Sequence, residues 1–214
     1  MVKRHERSSF GAAYAFPGGV LEPADQLVHK YCGGLTEADA NRLLEVEGDG
    51  LDYFSAAIRE LFEEAGVLLG KTALTAQELD DARAALNGEA LSWDQFVVDN
   101  AITLPCDRLH YFSFWITPVG LQKRYSTRFF LTALPAGQSA VHCGGELTDS
   151  CWMPAADILA ASRNKTIRVH HPTRMTLQRV AEWASTNELV QWADRCSQQG
   201  VICDQPAFAP EFLQ

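Results

Sequence analysis

The chain has 214 residues, 47% of them apolar, enough to bury a sizeable core. Its 18 Lys and Arg stand against 27 Asp and Glu, a net charge of −9 whose field repels phosphate and argues against general binding of nucleic acid or an anionic membrane. No apolar run approaches the ~20 residues that span a bilayer. The opening Met-Val-Lys-Arg-His-Glu-Arg lacks the apolar stretch of a secretion signal, and the six cysteines show no CxxC pair or zinc-ligand spacing. A soluble, cytoplasmic protein with reduced thiols is therefore expected.

Residues 8–16, small and aromatic, predict a short extended segment that breaks into a tight glycine loop at Pro17-Gly18-Gly19. Residues 21–53 are polar; within them Thr36, with Asp39 three positions on, caps a short helix that runs to Leu44. The strongest helix spans 53–69, where Ile58, Leu61, Phe62 and Ala65 share a face and Gly66 or Gly70 supplies the stop. Thr75-Ala76-Gln77-Glu78 reads as a capping box opening a helix that reaches Gly88, and 92–100 reads as another. Aromatic and β-branched residues then take over, and 109–117 and 127–133 predict two strands separated by Pro118-Val119-Gly120. Helices are predicted over 154–161, 173–184 and 185–197, with a loose tail from 204 onward. No repeat or linker divides the chain, so a single domain over 1–214 is expected.

The chemistry concentrates in Arg59-Glu60-Leu61-Phe62-Glu63-Glu64-Ala65-Gly66-Val67. On a helix Glu60, Glu63 and Glu64 fall at i, i+3 and i+4, within an arc of roughly 100°. Like charges so spaced weaken a bare helix. A hard divalent cation reverses the sign of that interaction, and carboxylate oxygens in this arrangement suit Mg²⁺ or Mn²⁺. Any two glutamates alone read first as a solvated face. From average residue frequencies, the full run Arg-Glu-aliphatic-x-Glu-Glu-x-Gly-aliphatic arises in roughly one chain of this length in 100,000, too rarely for that reading.

These residues resemble the second half of the Nudix box, Gly-x5-Glu-x7-Arg-Glu-aliphatic-x-Glu-Glu-x-Gly-aliphatic. Phe16-Pro17-Gly18-Gly19 resembles its opening glycines, and after five intervening residues Asp25 stands where the pattern has Glu. The x7 spacer is 33 residues here, 26–58, so the box is split by an insertion of 26 residues. A split box followed by a second helical insertion, 72–100, is similar to the subgroup of peroxisomal and mitochondrial coenzyme A diphosphatases and their bacterial relatives. Arg4-His5-x-Arg7-Ser8-Ser9-Phe10, Trp115-Ile116-Thr117-Pro118, Arg124-Tyr125-x-Thr127-Arg128-Phe129-Phe130 and His171-Pro172-Thr173-Arg174-x-Thr176-Leu177 extend the resemblance over nearly the whole chain. The Leu-Leu-Thr-x-Arg stretch of the liver-type branch is absent, so coenzyme A rests on the subgroup alone.

The resemblance implies an α/β/α sandwich, a mixed curved sheet between helices, with helical insertions. The family's fold has a strand ahead of the 4–10 segment, where this chain almost begins; either the strand lies upstream or the sheet is built without it. Glu60, Glu63 and Glu64 are expected to meet beside Gly18-Gly19 and hold one or more Mg²⁺ or Mn²⁺ ions, with the Gly19 carbonyl as a further ligand. Arg59 anchors their helix through a carboxylate partner. Glu146, in Gly144-Gly145-Glu146, is the expected extra ligand or base, and Arg4, Arg7 and Arg128 are expected to contact substrate phosphates. Phe112, Phe114, Trp115, Phe129 and Phe130 read as core, His170 and His171 as structural, and Asp25 as a residue that shapes the loop.

The implied reaction is metal-dependent hydrolysis of a diphosphate bridge in a small nucleotide-containing substrate. Coenzyme A or an acyl-coenzyme A would give 3′,5′-ADP and a 4′-phosphopantetheine derivative. ADP-ribose, NADH and dinucleoside polyphosphates are the alternatives, as is a nucleotide sensor without turnover. No membrane partner is expected, nucleic acid is disfavoured, and a homodimer is left open.

Overall fold

The computed structural model describes residues 1–4, 12–120, 123–143, 147–201 and 203–204. In chain order the elements begin with β1 (Val2–Arg4), β2 (Tyr14–Ala15), α1 (Pro23–Leu27), β3 (Cys32–Gly33) and α2 (Glu37–Leu44). They continue with α3 (Gly50–Ala65), α4 (Ala76–Asn87), α5 (Trp93–Asp99), β4 (Leu104–Pro105), β5 (His110–Ile116) and β6 (Ser126–Leu131). The last are β7 (Leu147–Ser150), α6 (Ala155–Arg163), α7 (His171–Val180), α8 (Thr186–Gln199) and β8 (Cys203–Asp204). Among the described residues no helix is long and apolar enough to cross a membrane. All six cysteines are free thiols.

Contacts group the chain into two units. The first joins 17–109 to 132–148 and is built around α3. Phe54, Ile58 and Phe62 of α3 are buried together with Trp93, Phe96 and Val97 of α5. Phe62 stacks on Phe96 at 5.3 Å between ring centroids, and Trp93 lies 5.8 Å from Phe96. Burying each such side chain stabilises by about 1.5–3 kcal/mol. The surrounding helices start where their sequences supply a cap. Thr36 accepts from Asp39 N–H, while Thr75 with Glu78 and Ser92 with Gln95 form complete capping boxes. Helix α3 stops at Ala65, at the first of the two expected glycines and short of 69, because Gly66 takes a left-handed φ of 70° and returns its N–H to Phe62 O. Parallel pairing of β3 with β4, Cys32 opposite Leu104, ties the polar 26–58 stretch to the residues that follow α5.

The second unit comprises 1–16, 110–131 and 149–214. Strand β5 pairs antiparallel with β6 and parallel with β8. The register slips between Tyr111 and Ser113, and this bulge lets the consecutive residues Tyr111, Phe112 and Ser113 all be buried. Phe112 packs against Trp192 of α8, and Trp115 against the His171 ring of α7. A second sheet has the order β2-β1-β7. Tyr14 of β2 packs with Ile158, Leu159, Val169 and Leu177 of the α6–α7 region. Helix α7 begins at His171, two residues ahead of expectation, since Pro172 is well placed in a first turn. Strands β1, β3, β4, β7 and β8 and helix α1 were not expected: each is only two to five residues long, too short for periodicity to register. From 205 onward the expected tail lies outside the described residues.

Candidate active site

The site is assembled around one buried arginine. Arg59 is 1% exposed on α3, and all five of its N–H donors are used. Nε and Nη2 form a fork onto Asp25, 3.1 Å to each carboxylate oxygen. The second Nη2 proton goes to Val20 O at 2.8 Å, and Nη1 divides its two between Glu60 (2.9 Å) and Glu63 (3.3 Å). Burial alone would lower the Arg59 pKa, but Asp25, then Glu60 and Glu63, hold it above its ordinary value. The carboxylate partner expected for Arg59 is thus Asp25.

Asp25 is fully buried and equally well satisfied. Beyond the two Arg59 bonds it accepts from Ser55 Oγ (3.2 Å) and from Glu22 N–H (2.9 Å). Ser55 in turn accepts from the Trp93 indole N–H at 3.0 Å. The short side chain suffices because α1 brings its backbone close. Pro23 opens that helix, and Glu22 and Asp25 cap one another across its first turn. The signal for α1 was present in Glu22-Pro23-Ala24-Asp25, an acidic cap ahead of a proline.

Thirty-three residues separate Asp25 from Arg59, yet the glycine turn and the box helix lie together. Gly18 N–H donates to Glu64 Oε2 at 2.9 Å. Gly18 holds a φ of 155°, a region other residues rarely adopt, and at Gly19 a Cβ would come within 2.6 Å of Glu60 Cδ. The first glycine is required by conformation, and at the second any side chain would displace the Glu60 carboxylate from its present place. Burial pushes the Glu63 carboxyl up to about 7; Arg59 opposes the shift, and Glu60 and Glu22 add to it.

Helix α4 closes the far end of α3. Arg83 Nε donates to Glu63 O (3.0 Å) and Nη2 to Glu64 O (2.9 Å) and Val141 O (2.7 Å). Asn87 Nδ2 adds a bond to Glu63 O at 3.2 Å. Neither residue stood out in the sequence.

The donor set for a cation is Glu60, Glu63, Glu64 and the Gly19 carbonyl, all hard oxygens of the kind Mg²⁺ and Mn²⁺ take. As the side chains stand, Glu60 and Glu63 share Arg59 Nη1 and Glu64 faces Gly18 N–H. Among the described residues no three acidic, His or Cys groups meet in ligating geometry. The expected meeting beside Gly18-Gly19 is therefore realised for Glu60 and Glu64, while Glu63 is linked to Glu60 through Arg59. The donors fit a hard cation: the Glu60 carboxylate lies where a Gly19 side chain would be, and burial, with Glu60 and Glu22 adding to it, disfavours an uncompensated charge on Glu63. Arg128 belongs to the other unit, where its guanidinium lies over the Phe114 ring, 4.5 Å from the centroid. The Arg4 side chain, Arg7 and Glu146 lie outside the described residues.

The chain matches a crystal structure of a NUDIX hydrolase from Alicyclobacillus acidocaldarius with a TM-score of 0.69, over 89% of this chain and 86% of that one, at 23% identity. It has the mixed α/β Nudix fold. Residues 36–180 match the profile of the NUDT19 Nudix domain, so the chain belongs to the NUDT19-type Nudix hydrolases, a family of pyrophosphohydrolases that typically depend on a divalent metal. Over 98% of its length it is 24% identical to the acyl-coenzyme A diphosphatase NUDT19 of Xenopus laevis, of which it covers 66%. Over 96% it is 23% identical to a Caenorhabditis elegans protein named as a nudix hydrolase, of which it covers 62%. The chain thus spans just under two thirds of the length of both relatives.

Proposed function

We propose that this chain hydrolyses the diphosphate bridge of coenzyme A or an acyl-coenzyme A, giving 3′,5′-ADP and 4′-phosphopantetheine or its acyl derivative. The observation that carries the hydrolytic reading is the junction of the glycine turn with the box helix, Gly18 on Glu64 and Gly19 against Glu60, locked from behind by Arg59 and Asp25. The substrate reading is supported by the similarity to the acyl-coenzyme A diphosphatase.

Glu60, Glu63, Glu64 and the Gly19 carbonyl would hold Mg²⁺ or Mn²⁺, which when bound supplies charge neutralisation at the diphosphate oxygens. A water oxygen then joins one phosphorus as the bridging P–O bond breaks, and the leaving phosphate departs with the bond's electron pair. The water's proton passes to a carboxylate; Glu60 and Glu146 are the candidates. Arg59 has no donor left over for substrate, so its work is to hold the helix. Arg4, Arg7 and Arg128 are the phosphate-binding candidates.

Incubation of the protein with coenzyme A or acetyl-coenzyme A and Mg²⁺ or Mn²⁺, read by mass spectrometry, should yield 3′,5′-ADP. Glu63→Gln should lower kcat by a factor of about 100 or more, the scale seen when one charge-stabilising group is lost, without loss of fold by circular dichroism. No cleavage of either compound, with turnover of ADP-ribose, NADH or a dinucleoside polyphosphate, would overturn the substrate. Metal-dependent nucleotide binding without turnover across the panel would make the chain a sensor.

A further inference from the structure

The C-terminal turn of α3 carries an electrostatic conflict. A helix presents the equivalent of about half a negative charge at its C-terminus, where cations stabilise and anions do not. Glu60, Glu63 and Glu64 all fall in the last two turns, and that helix has no basic residue in its last turn. The missing cation comes from α4. Arg83 binds the backbone carbonyls of Glu63 and Glu64, two of the three metal-holding candidates, and its guanidinium lies where a Gly66 side chain would sit.

The same guanidinium reaches a third segment. Val141 O accepts from Nη2, and Val141 N–H donates to Ala65 O at 2.9 Å. Three residues earlier, the Gln138 amide pairs with both the N–H and the C=O of Leu68, each at 2.9 Å. Residues 138–141 are therefore stitched to the end of α3 and to the chain just beyond it. The segment runs on within a few residues to Gly144-Gly145-Glu146, where the extra carboxylate is expected.

We infer that Arg83 is a positioning residue of the active site: it fixes the backbone of Glu63 and Glu64 and holds the 138–141 segment to the same helix end. This rests on the reading of α3 as the catalytic helix. Three carbonyls on two segments need the planar fork of an arginine; a lysine retains the charge but cannot span them.

The test compares wild type with Arg83→Gln and Arg83→Lys in three measurements. Amide hydrogen exchange at Val141 should quicken at least tenfold in both variants, a readout that needs neither metal nor substrate. At saturating Mg²⁺, kcat should fall at least tenfold in Arg83→Gln with KM within twofold, and Arg83→Lys should recover only part of it. Mn²⁺ affinity, followed by electron paramagnetic resonance, should weaken severalfold in Arg83→Gln. The sign of that last change is diagnostic, because loss of a nearby positive charge would by itself tighten cation binding. Unchanged exchange at Val141 overturns the inference, as does kcat within threefold of wild type, or equal or tighter Mn²⁺ binding, even with a lowered Tm. A wild-type protein that neither binds Mn²⁺ nor turns over would instead sink the parent reading, while Val141 exchange still reports on Arg83.

Discussion

The two ends of α3 are finished by different parts of the chain, and in opposite ways. At its N-terminus Asp49, in a left-handed conformation, offers no side-chain cap; Gly50 N–H donates instead to Glu37 Oε1 (2.8 Å) and Asn41 Oδ1 (2.7 Å) of α2. At its C-terminus Arg83 and Asn87 of α4 take the carbonyls. An acid serves the positive end of the helix dipole and a base the negative end. The lesson is that the 26–58 and 72–100 stretches supply side-chain partners for both ends of the box helix, whose own contribution is the backbone stop at Gly66. Lengthening a spacer from 7 to 33 residues costs only about 1.4 kcal/mol in closure entropy. A single charge-assisted hydrogen bond, at about 1.5–3 kcal/mol, offsets that.

The harshest way to break this arrangement is in the middle of the helix. Asp25→Ala leaves the Arg59 guanidinium buried with two of its five N–H donors unpaired, and removal of one partner of such a pair costs about 3–5 kcal/mol. For a domain of this size, that corresponds to a Tm lower by roughly 10 °C. A loss below 1 kcal/mol in urea unfolding would show that the pair does not hold α1 to α3.

A smaller change separates the two ends. Asn41→Ala or Glu37→Gln should each cost about 1 kcal/mol, as the loss of a helix cap does, with kcat within twofold of wild type. Arg83→Gln should lower kcat. If the N-terminal variants lowered kcat as much as Arg83→Gln does, the two caps would be equivalent and the special role of the C-terminal one would fall.

The chemistry of this site was more legible in the sequence than its supports. The Glu60-Glu63-Glu64 spacing is a local, helical fact, so it could be read directly, as could the caps at Thr36 and Thr75. Arg59 needed a carboxylate, and that too was expected. What was not legible was any residue whose role depends on a tertiary neighbour. Ser55 and Trp93 looked like ordinary helix positions until the Trp93–Ser55–Asp25 relay was seen. Arg83 and Asn87 carry no periodic signal, because their partners are backbone carbonyls about twenty residues earlier. The short strands escaped for a different reason: two or three residues cannot display alternation, and pairs such as β3 with β4 are fixed by contacts far apart in sequence.

The smallest predicted effect lies in the other unit and serves as a control for charge burial without a helix end. Tyr14 is buried in β2 with its hydroxyl donating to Asp149 Oδ2. Burial first, then that hydrogen bond and the Asp149 charge, raise its pKa from 10.0 to about 12. The folded state therefore prefers the neutral phenol. Its contribution is complete below pH 10 and is lost as pH rises from 10 through 12. Between pH 8.5 and 10.5 the linkage amounts to about 0.8 kcal/mol, or a Tm change near 2 °C. The quantity to follow is the stability difference between wild type and Tyr14→Phe. It should shrink by that amount across the interval, and wild type should show a tyrosinate absorbance step near pH 12 that the variant lacks. A difference that stays constant to pH 10.5, with no absorbance step near pH 12 that Tyr14→Phe removes, would mean that the Tyr14–Asp149 pair carries no net preference for the protonated ring.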